Sequence, residues 1–195
     1  MELGNFGGYP TQQILPETGR ILVAEPFLSD NYFKRSVVLL TEFTPEGSIG
    51  FILNKPLDIS IQDVMADTPD FDALVLMGGP VGRDTLHFLH TLGDTIQGSR
   101  KIMEGIYWGG DFEKIKELIQ SGRIYPDEIK FFIGYSGWSP GQLEQEIQQK
   151  SWFVLPGQTE YIMNHDTSHL WNKILKDQGE EYAGFANYPV DPMLN

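Results

Sequence analysis

The stretch SVVLLTEFTPEGSIGFILN, residues 36–54, restricts the fold of this chain more than any other. Val37 to Leu40 and Phe51 to Leu53 are apolar at every position, and a Pro–Gly turn at Pro45 and Gly47 stands between them. Successive side chains of a strand point to opposite faces, so a strand that is apolar throughout has to be covered on both sides. The two runs read as a hairpin of strands at about 36–43 and 49–54, inside a layered domain. A third strand, at about 20–25, precedes them.

The elements that follow alternate more regularly. DISIQDVMADTP carries complete helix-start signals, with Ser60 to cap, Asp63 at the third helical position, and Ile59 and Val64 at the spacing of a hydrophobic staple. DALVLMGGP returns to strand, ending at Gly78 and Gly79, and RDTLHFLHTL is read as strand. KIMEGIYWGGDFEKIKELIQSGR gives a strand to Trp108 and then a helix with Phe112, Ile115, Leu118 and Ile119 on one face and Gly122 at its end. KFFIGY is a strand and PGQLEQEIQQK a helix, with Ser139 as N-cap, Pro140 at the first position and Gln142 completing a capping box. SWFVLP is extended. A last helix over about 167–178 puts Leu170, Trp171, Ile174 and Leu175 inward, and the tail from Gly184 reads as irregular. Hairpins first and helix–strand alternation later predict an α+β fold: a single compact domain with a mixed sheet and packed helices. Residues 1–19, rich in Gly, Pro and Gln, read as a flexible N-terminal arm, with the domain spanning 20–195.

Charge and cysteine content exclude whole function classes. With 14 basic against 27 acidic residues the net charge is -13, which repels phosphate backbones and disfavours direct nucleic-acid or anionic-lipid binding. The absence of cysteine removes disulfides, thiolate metal sites and a cysteine nucleophile. The N-terminus lacks the basic and apolar regions of a signal peptide, and no run approaches the ~20 apolar residues of a membrane helix. A cytoplasmic protein without membrane attachment is expected.

FFIGYSGWSPGQLEQEI, residues 131–147, is the segment most open to a chemical reading. A nucleophile elbow needs G-x-S-x-G, but after Gly134, Tyr135 and Ser136 the next glycine, Gly137, comes one position early. The glycines at 134, 137 and 141 do not fit G-x-G-x-x-G, and no cation lies between Lys130 and Lys150 to complete a phosphate loop. A hydrolase or small-ligand enzyme using Ser136, Asp111 and a histidine is the alternative reading; a structural Ser136 is favoured. His165 and His169 are four residues apart, but Asp166 or Thr167 as cap leaves His165 off the helix, so surface or capping roles are favoured over a metal site. His87 and His90 read as interleaved with core residues, and Asp111 as a helix cap. No cofactor is called for.

Five motifs, FKRSVVLL, GFILNKPL, MGGPVGRDTLHFLH, EGIYWGGDFEKIKELI and FFIGYSGWSPGQLEQEI, together resemble the YqgE/AlgH family of bacterial proteins. The resemblance implies a compact α+β domain with a strongly coiled mixed sheet. Some members carry a provisional label of transcriptional regulator, and no established active site comes with the family. Relatives commonly have alanine where this chain has Ser136, which counts against a serine nucleophile. The pattern falls on Arg35, Ser36, Asn54, Pro56, Gly78 to Val81, Gly109 to Asp111, and Gly134 to Leu143 apart from Ser136 and Ser139. The expectation is a non-enzymatic binding or regulatory protein, meeting an unidentified protein partner or small ligand through a patch of Arg35, Asn54, Asp111, Tyr135 and Trp138.

Overall fold

The computed structural model describes residues 14–188. Nine strands form one sheet: β1 Arg20–Ala24, β2 Val37–Thr44, β3 Gly47–Ile52, β4 Val75–Met77, β5 Val81–His90, β6 Arg100–Met103, β7 Ile106–Trp108, β8 Ile129–Trp138 and β9 Trp152–Pro156. Six short helices accompany them: α1 Ile61–Val64, α2 Phe112–Gln120, α3 Gln142–Gln148, α4 Thr159–Ile162, α5 Leu170–Asp177 and α6 Glu180–Ala186. The order across the sheet is β6-β7-β5-β8-β3-β2-β1-β9, with β4 also on β8. Each pairing is antiparallel except β4 with β8, so the sheet is mixed, as expected.

The sheet is curled. Arg100 on β6 forms a 2.6 Å ion pair with Glu42 on β2, although four strands lie between them in the sheet order. Thr159 at the start of α4 donates to the Glu104 carbonyl in the β6–β7 turn, closing the same side. The result is a half-barrel.

Three apolar clusters explain the strands that are apolar on both faces. The concave face packs Ile21, Val37, Leu39, Phe51 and Phe132 against Tyr161, Ile162, Leu170, Trp171 and Ile174 of α4 and α5. On the convex face, α2 lies over Phe88, Ile129 and Phe131 through Ile115, Leu118 and Ile119. Also there, α3 places Leu143 near Leu22, Val38, Ile52, Trp138 and Trp152. Each buried aliphatic or aromatic side chain contributes on the order of 2 kcal/mol, so two-sided coverage is what holds this sheet.

Two of the expected helix caps hold. Ser60 and Asp63 form the reciprocal capping box on α1, and the Asp111 carboxylate accepts from the Lys114 N–H at the start of α2. The 131–147 segment differs from expectation. β8 runs on through Ser136 and Gly137 to Trp138, so no elbow follows Tyr135. The N-cap of α3 is Gly141 at φ 75°, not Ser139, because a left-handed residue at 141 prevents Pro140 from opening the helix. Gln142 still reaches back to accept from the Ser139 N–H, one arm of the expected box. β3 begins two residues before the expected start, and α4 and α6 were not anticipated. Residues 184–186 of the tail belong to α6; 189–195 lie outside the described residues, as do 1–13 of the arm. Of the arm's remainder, Ile14 packs on the convex cluster and the Gly19 N–H donates to the Leu40 carbonyl. Among the described residues, no helix is long and apolar enough to cross a membrane.

Candidate functional site

β4 and β5 pair with opposite edges of β8, so the chain between them has to cross the face of β8. The crossing uses Gly78, Gly79 and Gly134. A Cβ at Gly78 would lie 2.2 Å from the Gly134 carbonyl oxygen, and one at Gly79 2.3 Å from the Tyr135 carbonyl. Gly134 has φ 67°, and its Cβ would lie 2.6 Å from the Val81 carbonyl oxygen. At the same point Ser136 is fully buried, its hydroxyl donating to the Gly78 carbonyl at 3.0 Å. The segments MGGPVG and IGYS of this chain thus encode a close crossing of two backbones. Ser136 fastens it.

Beside the crossing lies an open groove of about 380 Å³. Its walls come from Glu42, Thr44 and Glu46 of the β2–β3 hairpin, from Val81 at the start of β5, and from Tyr135 on β8. Val81 is 39% exposed, an apolar side chain left on the surface next to the half-buried Tyr135 ring. Gly137 leaves that ring uncovered, since a Cβ there would come within 3.3 Å of it. Behind Tyr135 stand His87 and, farther in, Phe51 and Trp108. Tyr135 is therefore held on rigid backing.

Trp138 borders the same groove but is 5% exposed. Its indole packs between Phe33 and Trp152, and its N–H donates to Glu146 Oε2 at 2.9 Å. The Trp152 N–H donates to the same oxygen at 2.8 Å, and Gln142 holds the other oxygen. Glu146 thus joins β8, β9 and α3 with one carboxylate. The sequence reading missed it; the signal was two tryptophans flanking a Gln-x-x-x-Glu pair at helical spacing.

The other expected patch residues lie elsewhere. Arg35 and Asn54 stand together at the opposite end of β2, roughly 20 Å from Glu42 at strand rise. Arg35 adopts φ 51°, and Asn54 spans that kink, accepting from the Val37 N–H at 2.9 Å and donating to the Arg35 carbonyl at 2.8 Å. The Arg35 guanidinium lies 4.7 Å over the Trp171 ring and donates to the Tyr188 carbonyl. These contacts pin α5 and the end of α6 to the start of β2. Asp111 occupies a third place, a cleft with Thr95, Gln97 and Glu117.

The histidines follow suit. The Leu92 N–H donates to His90 Nδ1, so Nε2 carries the proton and faces the Ser99 hydroxyl and Gly109 carbonyl at 3.0 and 3.1 Å. At His87, the Thr85 hydroxyl donates to the Gly82 carbonyl and so accepts from Nε2 at 3.0 Å. Burial lowers the pKa of both rings, which keeps them neutral near pH 7. His169 pairs with Asp166 at 3.0 Å. Among the described residues no group of three potential ligands gathers for a metal. Ser136 donates to the Gly78 carbonyl and Asp111 accepts from the Lys114 N–H, and among the described residues no hydrogen bond joins either side chain to one of these rings.

Lys130 was also missed. It is fully buried on β8, and burial pushes its pKa down to about 7. Only the alternation of the strand hinted at this, and a lysine before an apolar run reads more naturally as a solvated end.

An AlgH-like family model matches residues 21–183. A UPF0301 protein of Chlorobium luteolum is 41% identical over 177 residues, 91% of this chain and 94% of the relative. One from Bacteroides fragilis is 41% identical over 186 residues, 95% of this chain and 94% of its own. Two solved structures share the fold. The crystal structure of protein DIP2367 from Corynebacterium diphtheriae superposes with a TM-score of 0.75 at 21% identity, covering 91% of this chain and 95% of its own. The solution structure of AlgH from Pseudomonas aeruginosa gives 0.70 at 23% identity, covering 87% and 93%. The crossing glycines and the curled mixed sheet are thus set in a chain that belongs to the AlgH-like UPF0301 family.

Proposed function

We propose that this chain is a cytoplasmic, non-enzymatic binding or regulatory protein that engages a protein partner or small ligand at the groove beside Tyr135. The observation that carries this reading is the juxtaposition of an exposed Val81 with a half-buried tyrosine ring held by a rigid backbone crossing. Aromatic rings with little freedom left to lose are the usual anchors of recognition surfaces. Glu46 gives the groove an acidic rim beside the Arg100-paired Glu42, which with the net charge of -13 favours a neutral or basic partner and makes any regulatory role indirect with respect to DNA.

A photo-crosslinking residue in place of Val81, introduced in cells, is expected to give discrete adducts that Tyr135→Ala abolishes while the fold persists. Adducts formed equally well from position 111 but not from 81 would move the site to the Asp111 cleft. Turnover of any member of an ester and phosphate panel, lost on Ser136→Ala, would replace binding by catalysis. Duplex DNA at low salt is expected not to bind.

A further inference from the structure

We propose that Lys130 is a pH-sensitive latch: its amine holds the 163–169 connection between α4 and α5 against the concave face of the sheet, and protonation loosens that connection. Lys130 pairs with Leu89, and Phe132 two residues on pairs with His87, so all four side chains share the face covered by α4 to α6. The amine is buried and donates to the Asn164 carbonyl. Among the described residues this is the hydrogen bond that ties 163–169 to the sheet. The connection's other bonds are internal or to the helices it joins: Thr167 N–H to His165 carbonyl, Asp166 N–H to Asn164 Oδ1, His169 to Asp166, and Leu170 N–H to Thr167 carbonyl. Thr167 is itself buried, so the segment covers core when closed.

A buried ammonium with one carbonyl acceptor is poorly solvated, whereas the neutral amine fits the same place. The titratable side chains on the surrounding elements are Arg83, Asp84, His87 and His90 on β5, Glu160 and Tyr161 on α4, His165, Asp166 and His169 in the connection, Lys173, Lys176 and Asp177 on α5, and Glu180, Glu181 and Tyr182 on α6. None is joined to the Lys130 amine by a hydrogen bond or ion pair; Tyr161 bonds Asp177, and Lys173 pairs with Glu160 and Asp177. Among the described residues no ion pair therefore offsets protonation.

The direction follows from linkage. In the closed state the amine titrates at about 7, and in an opened connection it returns toward 10.5. Between these values the open state binds the extra proton, so opening becomes about tenfold more populated for each pH unit lost, and levels off below about 7.

Hydrogen-exchange protection factors of the Asp166, Thr167 and Leu170 amides test this, since they remove the intrinsic pH dependence of exchange. Expected is a fall of about fivefold from pH 8 to pH 7 and only about a further twofold down to pH 5.5. Lys130→Met is expected to keep protection high and flat with pH, and Lys130→Arg, which cannot shed its charge, to keep it low throughout. A flat wild-type profile overturns the latch. So does an unchanged slope in Lys130→Met, which would assign the effect to His165 and His169. Should the variants fail to fold, the wild-type Lys130 Cε shift decides: a titration midpoint near 7 supports the latch, and one above 9.5 overturns it.

Discussion

Replacing Gly134 by alanine tests whether the crossing of β8 is a packing device. The new Cβ would stand 2.6 Å from the Val81 carbonyl oxygen and 2.9 Å from that of Gly79, distances that real Cβ atoms essentially never show. Both neighbours are backbone, so relief requires moving β5 or the crossing segment. Overpacking of this kind costs about 1–3 kcal/mol, and the left-handed conformation at φ 67° adds about 1–2. The stiffer unfolded chain returns about 0.4–1 kcal/mol, leaving a net loss of roughly 2–4. For a domain of this size each kcal/mol lowers the Tm by about 2–4 °C, so a drop of roughly 10 °C is expected in a thermal melt. Gly141→Ala is the control, since it has φ 75° but nothing within 4 Å of the added methyl. It carries only the conformational cost. Equal losses in the two variants would refute the steric reasoning, and with it the view that the glycine motifs encode the crossing.

Other substitutions read out single contacts. Ser136→Ala removes one neutral hydrogen bond to a carbonyl that also accepts from the Ile52 N–H, so a loss of about 1 kcal/mol in urea unfolding is expected. Glu146→Ala strands two indole N–H donors and is expected to cost about 3 kcal/mol with a shift in tryptophan emission, while Glu146→Gln, which keeps an acceptor, should cost less than half of that. Lys130→Met is expected to stabilise the protein by roughly 4 kcal/mol at pH 7, because the folded state there must hold an amine displaced from 10.5 to about 7. Between those values the unfolded chain binds more protons, so wild-type stability rises with pH. The advantage of the methionine variant should shrink by roughly 2 kcal/mol from pH 7 to pH 9, measured by urea unfolding at both.

What could be read from the sequence was local. The β2–β3 hairpin and the caps at Ser60 and Asp111 depend on residues within a few positions of one another, and they stand where expected. β8 was cut short because Gly134 and Gly137 resemble punctuation; Gly134 answers instead to Gly79 and Val81, some fifty residues upstream. The helix start at 139 failed for a similar reason, since nothing local shows that Gly141 takes a positive φ. α4 is a single turn, and α6 carries a mid-helix glycine, so neither displays enough period to be seen. The candidate patch joined residues that share motifs, but motifs adjacent along a chain need not meet in space. Arg35 and Asn54 proved to serve a backbone kink, and only Tyr135 and Trp138 border one groove.

The position of β8 also sets an order of events during synthesis. β3 and β4 lie on one edge of it and β5 on the other, so the sheet pieces made from residues 20–52 and 81–108 are joined through a strand that begins at Ile129. Until that strand leaves the ribosome, both pieces present unpaired edges, at β3 and at β5. Long-range pairing of this kind slows folding, and exposed edges invite association with other chains. The interval between translation of β3 and of β8 is therefore when these edges are most open to association with other chains.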